Sequence, residues 1–203
     1  MSKPTDSSKT RQHILRAALK RFAHSGYAAT SVQQIVSDAK VSKPTLYYYF
    51  PDKSGLFQAL VNEALDERYQ LVQEAAAGAA GLRGQLTAIL VALFEYFRKN
   101  RDLVRISFAT MFAAPGEVPP DLKYVDKCER NFEFIHSLMK AAVRNGELDS
   151  RFEACELALG FYGQANMYLM GHLVMPDWHL DRETAGRIVD LFLAGASVSR
   201  KRK

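Results

Sequence analysis

The chain of 203 residues has only two cysteines and no stretch of alternating polar and apolar residues. Cys128 and Cys155 lie far apart, and neither has a second cysteine or a histidine at metal-ligand spacing. We expect two free thiols in a reducing cytoplasm, with a redox pair as the alternative. Because helical periodicity recurs without strand alternation, we predict an all-α fold.

Motifs that would indicate an enzyme are also missing. The chain has no glycine-rich phosphate loop, no Cys-x-x-Cys and no serine nucleophile elbow. Glu133 and His136 have the Glu-x-x-His spacing of di-iron bundles, but such a site needs two of these motifs and further carboxylates. We therefore expect no catalytic site, no metal and no cofactor.

Long uncharged stretches are rare as well. The first residues are polar, so we expect no signal peptide. Residues 157–176 carry no Asp, Glu, Lys or Arg and are about as long as a bilayer is thick. The segment nevertheless contains Gln164, Asn166, His172 and three glycines. We favour a helix buried on two sides of a soluble protein over a membrane span, and expect no membrane partner.

The chain does have a basic front end. Residues 1–55 hold nine Lys or Arg and three Asp, a net charge of +6, whereas residues 56–199 carry −5 and the last four residues +4. A basic module on an acidic body is typical of a protein that binds a polyanion. A merely solvated surface could carry the same charge, so the motifs must decide.

Two short helices follow a longer one in this front end. Residues 10–25 form the first helix, and Gly26 ends it in a left-handed cap conformation. Ser31 begins the second helix, and Gln34 lies at the spacing of a capping box. A tight turn with a buried Val41 leads to the third. This is the layout of a helix-turn-helix, at about residues 31–50.

The third helix, capped by Ser42, would enter the major groove of DNA by its N-terminus. Its lysine suits a phosphate or a guanine, its hydroxyls suit phosphates, and its proline and threonine methyl suit thymine methyls. Leu46 and Phe50 would anchor the helix to the core. Because neighbouring residues on a helix point about 100° apart, at least one of three consecutive tyrosines must face outward; tyrosines that only pack in the core are the alternative. The residues expected at the groove are Ser42, Lys43, Pro44, Thr45, Tyr47 and Tyr48.

The sequence FAHSGYAATSV at 22–32, followed by IVSDAKVSKPTLYYYFPDKSGLF at 35–57, resembles the DNA-binding domain of the tetracycline-repressor (TetR/AcrR) family. The resemblance runs through about fifty residues with the family's spacing and no gaps. Two positions depart from the usual pattern, since glycine is common where Pro44 stands and histidine where Tyr49 stands. The resemblance implies a DNA-binding domain at 1–54 and an effector-binding and dimerisation domain at 55–203.

The resemblance implies that DNA is contacted by side chains at the start of the second helix, along the third helix and at the start of the fourth. Lys53 also stands out independently, because a cation near a helix start opposes the helix dipole and should have another partner, such as a phosphate. The complete set is Thr30, Ser31, Ser42, Lys43, Pro44, Thr45, Tyr47, Tyr48, Tyr49 and Lys53.

The body is predicted to add about six helices, making about nine in the chain. The uncharged helix, about 152–174, presents a glycine side, which we assign to packing on the last helix and on a second subunit. In the resembled family the last two helices of each subunit form a four-helix dimer interface. The residues assigned to this interface are Gly160, Gln164, Met167, Gly171, Ile188 and Phe192.

The interior of the body is rich in Phe, Met and Tyr, which can form an adaptable apolar cavity. Composition alone favours a solid core, whereas the resemblance favours a cavity for a small apolar effector, oriented by Asn166 and either His136 or His172. The residues assigned to the cavity are Phe97, Phe108, Met111, Phe112, Phe132, Ile135, Met139, Tyr162, Asn166 and Met170.

The main hypothesis is a homodimeric, cytoplasmic transcriptional regulator that acts as a repressor at a near-palindromic operator. A small apolar effector would release it from double-stranded DNA. One alternative keeps DNA binding but has a solid core and no effector. Another is an α-helical enzyme or carrier whose front module is vestigial.

Overall fold

The computed structural model describes residues 4–122, 124–175 and 177–197, so the basic C-terminal tail at 200–203 lies outside the described residues. Within them the fold is all-α, as predicted, with nine helices and one isolated bridge between Leu148 and Ser197. The helices are α1 (Pro4–Ala29), α2 (Val32–Asp38), α3 (Lys43–Tyr49), α4 (Lys53–Ala77), α5 (Gly81–Lys99), α6 (Arg101–Met111), α7 (Val125–Arg144), α8 (Ala154–Val174) and α9 (Arg182–Ala196).

The chain divides into two compact units. The first runs through Leu65 and adds Asn100–Tyr124, and the second consists of Asp66–Lys99 and the chain from Val125 onward. The first unit therefore extends beyond the predicted module at 1–54, because α6 packs on α1 and the first half of α4 completes its core. Helix α4 contributes residues to both units.

The core of the first unit is built around α1. Phe22 contacts Phe57 edge-to-face with ring centroids 5.1 Å apart, and Tyr27 contacts the same ring at 5.1 Å. Gly26 interrupts the helical conformation of α1 with φ 77° and ψ 166°. The positive φ favours glycine, as predicted, but the ψ value places it in the extended region and not in the left-handed helical one.

The second unit packs α5, α7, α8 and α9 together. On α7 the stripe Ile135, Met139 and Ala142 is buried, and the helix ends in a glycine cap, with Gly146 at φ 73° and the N–H of Glu147 donating to Ala142. Helix α8 begins two residues later than predicted, because Glu153 caps it and its N–H donates to Glu156 Oε2 at 2.9 Å.

The uncharged segment belongs to α8. Among the described residues no helix, α8 included, is long and apolar enough to cross a membrane. Its interior positions include Phe161 and Leu169, which are 2% and 3% exposed. Cys128 and Cys155 are free thiols, as predicted.

Candidate nucleic-acid interface

Helix α2 begins at the predicted capping box. The Ser31 hydroxyl accepts from the Gln34 N–H at 3.2 Å, and the Gln34 side-chain oxygen accepts from the Ser31 N–H at 2.8 Å. Two of the unpaired N–H groups at the helix start are thereby satisfied. The exposed Ser31 therefore has a local structural role beside any contact with DNA.

The turn from α2 to α3 is a Schellman motif. The Lys40 N–H donates to Ser37 at 3.2 Å and the Val41 N–H donates to Val36 at 3.0 Å. Lys40 adopts φ 49°, the left-handed conformation that usually favours glycine. Val41 is only half-buried, so the prediction of a buried valine is wrong: the turn bonds through its backbone and leaves the side chain at the rim.

Helix α3 has one buried side and one open side. The Ser42 hydroxyl accepts from the Thr45 N–H at 3.2 Å and lies 2.8 Å from the Thr45 hydroxyl, which closes the helix start. Leu46 and Phe50 are 0% and 2% exposed and anchor the helix, as predicted. Lys43 and Pro44 lie on the exposed surface beside the cap.

The three tyrosines of α3 have different surroundings. Tyr47 is 46% exposed and Tyr48 is 79% exposed, which confirms that at least one faces outward. Tyr49 is half-buried, and its hydroxyl donates to Ser7 Oγ at 3.2 Å on α1. The Tyr49 ring packs edge-to-face on Tyr48 with centroids 5.0 Å apart. Tyr49 therefore supports the position of Tyr48 more than it adds to the open surface.

Thr30 and Lys53 were both predicted to contact DNA, and in the structure both donate to carbonyls at the end of α1. Thr30 is 2% exposed, and its hydroxyl donates to the Gly26 carbonyl at 2.7 Å. The Lys53 ammonium donates to the carbonyls of Tyr27 and Thr30, each at 2.9 Å, and lies 4.3 Å from the centroid of the Tyr27 ring.

Lys53 therefore does have a partner away from its own helix, and in this structure that partner is the end of α1. Its ammonium satisfies carbonyls that the helix leaves unpaired. Burial lowers the pKa of Lys53 below its usual range. The burial of Thr30 contradicts a direct DNA contact at that residue, whereas a phosphate contact of Lys53 stays a prediction.

The basic residues of the first unit divide into paired and unpaired groups. Arg21 forms a bidentate pair with Asp38, whose pKa the guanidinium holds below its usual range. Arg11 pairs with Glu63. Among the described residues Lys40 and Lys43, on either side of the α3 cap, have no such partner. Lys40 was not predicted as a site residue; a lysine in a turn that favours glycine was the signal that could have revealed it.

Similarities to known proteins agree with this geometry. A family model described as bacterial regulatory proteins of the tetR family matches residues 14–60. The chain is 28% identical over 185 residues to an uncharacterized HTH-type transcriptional regulator, YhgD, of Bacillus subtilis, covering 89% of this chain and 92% of that one. The front end of this chain, residues 14–60, thus belongs to the tetR family.

Solved structures of TetR-family regulators resemble the whole chain. The fatty acid degradation regulator FadR of Bacillus halodurans matches with a TM-score of 0.81 at 16% identity, over 96% of this chain and 97% of that one. The regulator FadR of Bacillus subtilis, in complex with stearoyl-CoA, matches with a TM-score of 0.74 at 16% identity, over 91% and 98%. At this identity the likeness establishes the fold alone.

The second unit contains an apolar cavity. The cavity is narrow: its volume is about 20 Å³, within about 390 Å³ of empty space that is partly open to solvent. Four of the predicted residues line it: Phe97, Ile135, Tyr162 and Asn166. The lining residues that were not predicted are Arg68, Val72, Ile89, Leu93, Phe161, Ala165 and Leu169.

The other predicted cavity residues lie elsewhere. Met111 and Phe112 are 49% and 72% exposed, so their assignment to the interior is wrong. Both, like the half-buried Phe108, lie in Asn100–Tyr124, which is part of the first unit and not of the second. Met139 is 0% exposed and fills the core. Phe132 and Met170 are half-buried beside the lining residues, and Phe132 packs on Tyr162 with ring centroids 5.9 Å apart.

Neither histidine that was considered for the cavity lines it. His136 Nδ1 lies 3.1 Å from Glu133 Oε1 on the open side of α7, and His172 Nδ1 lies 2.8 Å from the Trp178 carbonyl. In the part of the chain that the structure describes, no group of three His, Cys, Asp or Glu residues could hold a metal ion.

The predicted dimer residues are only partly at the surface. Ile188 and Phe192 are 1% and 7% exposed, because α9 turns them toward α5 and α8 of its own chain, so their assignment to a subunit interface is wrong. Gly171 faces Trp178 of the same chain, where a Cβ atom would lie 2.2 Å from the indole. Met167 is 57% exposed, as an interface would require.

The open side of α8 and α9 carries further apolar residues that the sequence reasoning missed. Leu159 is 58% exposed and Leu191 is 65% exposed. Gly160 lies on this side too, where a Cβ would meet Phe192 at 3.9 Å, and Gln164 lines a groove between the two helices. The spacing of residues 159, 163 and 167 places them on one face of α8.

Proposed function

We propose that this protein is a homodimeric transcriptional repressor that reads a near-palindromic operator with α3 and is released by a small effector. The observation that carries the proposal is the two-sided character of α3. Leu46 and Phe50 are buried, while Lys43, Tyr47 and Tyr48 project from the opposite side. A helix held in this way can place its first turn in the major groove, with the lysine on a phosphate or a guanine.

The operator test begins with selection of bound sites from random duplex DNA. Affinity for the recovered site is then measured for Lys43→Ala and Tyr47→Phe by fluorescence anisotropy at several salt concentrations. We expect Lys43→Ala to lower the slope of log K against log salt by about 0.9, the value for one phosphate contact. Loss of one hydroxyl in Tyr47→Phe should weaken binding about 2- to 12-fold.

Two matched variants control for these changes. Tyr49→Phe removes the same hydroxyl from a side chain that bonds to Ser7, and should leave affinity within about twofold. Lys140→Ala removes a positive charge from the exposed side of α7 in the second unit, and should leave the salt slope unchanged. If neither Lys43→Ala nor Tyr47→Phe weakens binding, α3 does not read DNA in this way.

A homodimer is supported by the open apolar side of α8 and α9. Monomeric proteins rarely expose a large apolar patch, so such a patch indicates a surface that binds a partner. Leu159, Met167 and Leu191 are each more than half exposed. We expect the protein to sediment as a dimer, and Met167→Glu to shift it toward the monomer. A monomeric wild-type protein at micromolar concentration would refute this part of the proposal.

Control by an effector is supported by the cavity of the second unit. The solved FadR structure of Bacillus subtilis contains stearoyl-CoA, which is a property of that protein. Here an apolar ligand larger than the narrow space now present would have to expand the cavity that α4 helps to line. The ligand would therefore favour a conformation with a wider cavity. Operator binding would change if this conformation and the present one differ in their affinity for DNA.

A constitutive DNA-binding protein is the second candidate, and the small free space in the cavity favours it. The two candidates differ in one measurement. If an effector exists, some apolar compound should raise the melting temperature and lower operator affinity, because a ligand that prefers one conformation stabilises it. A constitutive binder would show neither effect. We expect no enzymatic activity from either.

A further inference from the structure

A positive charge lines the cavity of the second unit, and no carboxylate in the described part of the chain pairs with it. Arg68 on α4 lines it and is half-buried. Among the described residues its guanidinium has no hydrogen bond, ion pair or ring contact. A half-buried cation without a partner loses hydration without compensation. Arg68 thus differs from the other ionic groups around this part of α4.

The carboxylates that precede Arg68 in the chain are already engaged. Asp66 accepts from Lys127 at 2.5 Å and from Arg130 at 2.7 Å. Glu67 accepts from the Tyr96 hydroxyl at 3.1 Å. Each acidic group next to Arg68 therefore has its own partner, and the Arg68 charge remains available to the cavity.

Two neutral polar groups line the same cavity. The Tyr162 hydroxyl and the Asn166 amide form no hydrogen bond with the rest of the described chain, and the remaining lining side chains are apolar. Burial raises the pKa of Tyr162, and the charge of Arg68, which lines the same cavity, opposes that rise. One cation and two hydrogen-bonding groups thus accompany an apolar wall.

We propose that the effector is an amphipathic anion, whose apolar chain fills the cavity and whose anionic head pairs with Arg68 and hydrogen-bonds to Tyr162 or Asn166. This inference rests on the proposed function and specifies the ligand class. A planar guanidinium binds a carboxylate or a phosphate through two parallel hydrogen bonds. An uncharged apolar ligand would leave Arg68 unpaired and further dehydrated.

The test compares four ligands of equal chain length by calorimetry on the full-length protein. Dodecanoate and dodecanoyl-coenzyme A carry a carboxylate and phosphates respectively, dodecanol is neutral, and dodecylamine is cationic. The variants are Arg68→Met, which keeps the length of the side chain without its charge, and Arg68→Lys. Arg187→Met on α9 is the matched control, since Arg187 pairs with Glu183 on the surface.

We expect at least one of the two anions to bind wild-type protein about 10- to 100-fold more tightly than dodecanol, as a charge-assisted hydrogen bond would provide. Arg68→Met should remove this preference while still binding dodecanol, which shows that the cavity is intact. Arg68→Lys should keep part of it, and Arg187→Met all of it. Preference for dodecanoate or for its thioester identifies the head group.

Three outcomes would overturn the inference. Equal binding of anion and alcohol to wild-type protein, or a preference that survives in Arg68→Met, would show that Arg68 does not meet the head group, while leaving an effector cavity in place. Tighter binding of dodecylamine would reverse the sign of the site. If none of the four ligands binds, both the inference and the effector part of the proposed function fail, although operator binding is tested separately.

Discussion

Lys40 offers a direct test of the backbone geometry that precedes α3. It adopts φ 49° in the Schellman turn, and its exposed ammonium has no partner among the described residues. The left-handed conformation costs an L-residue about 1–2 kcal/mol. Glycine avoids that cost, but it also makes the unfolded chain more flexible, which lowers the free energy of unfolding by about 0.4–1 kcal/mol. We expect Lys40→Gly to be more stable than Lys40→Ala by about 0.5–1 kcal/mol.

The comparison with Lys40→Ala is needed because both variants remove the same charge and only one removes the Cβ. Urea unfolding by circular dichroism measures the difference directly. A chain of this size should show a gain in melting temperature of about 1–4 °C. If Lys40→Gly is the less stable of the two, the turn is not left-handed at this position, and the assignment of the Schellman motif is wrong.

Three further predictions test contacts on which the two units depend. Lys53→Met should lower the free energy of unfolding in urea by about 1.5 kcal/mol, the lower end of the range for hydrogen bonds to a charged group. An unchanged stability would show that the bonds from Lys53 to the carbonyls do not stabilise the protein. Gly171→Ala should displace Trp178, changing the fluorescence of the single tryptophan and costing about 1–3 kcal/mol by overpacking, whereas Gly186→Ala, which meets nothing within 4 Å, should not. Asp66 has its pKa lowered chiefly by the hydrogen bond from Lys127 and also by that from Arg130. Its contribution should be present at neutral pH and disappear as pH falls from about 3.9 through the lower folded value, so the stability difference between wild type and Asp66→Asn should shrink in acid; a difference that is constant with pH contradicts this.

The local features of the front end could be predicted because they depend on neighbours three or four residues away. Ser31 and Ser42 cap their helices through the N–H groups of Gln34 and Thr45. The anchoring pair Leu46 and Phe50 follows from the helical period alone. The family resemblance rests on these same local patterns, so it specified the start of α3 most sharply.

Long-range partners could not be predicted in this way. Lys53 was correctly expected to have a partner away from α4, but its ligands, the carbonyls of Tyr27 and Thr30, are 26 and 23 residues distant. A cation at a helix start can meet a phosphate or another helix end, and the local sequence is the same in both cases. The carbonyl partners became visible only when α4 was packed against the end of α1.

Helix periodicity also left open which apolar stripe faces the core. Ile188 and Leu191 both lie in the apolar pattern of α9, yet Ile188 is 1% exposed and Leu191 is 65% exposed. Met111 and Phe112 were assigned to the interior because they are large and apolar, but the end of α6 leaves them at the surface. Composition cannot distinguish a core side from an interface side.

The sequence by itself determined an all-α chain with a helix-turn-helix whose third helix begins at a capped, basic turn. Those properties follow from short-range hydrogen bonds and from the period of the helix. Only the tertiary structure decided that Thr30 and Lys53 bond to the end of α1 and that Arg68, unpaired among the described residues, lines the cavity. Burial and the pairing of charges depend on which distant surfaces meet, and no single helix contains that information.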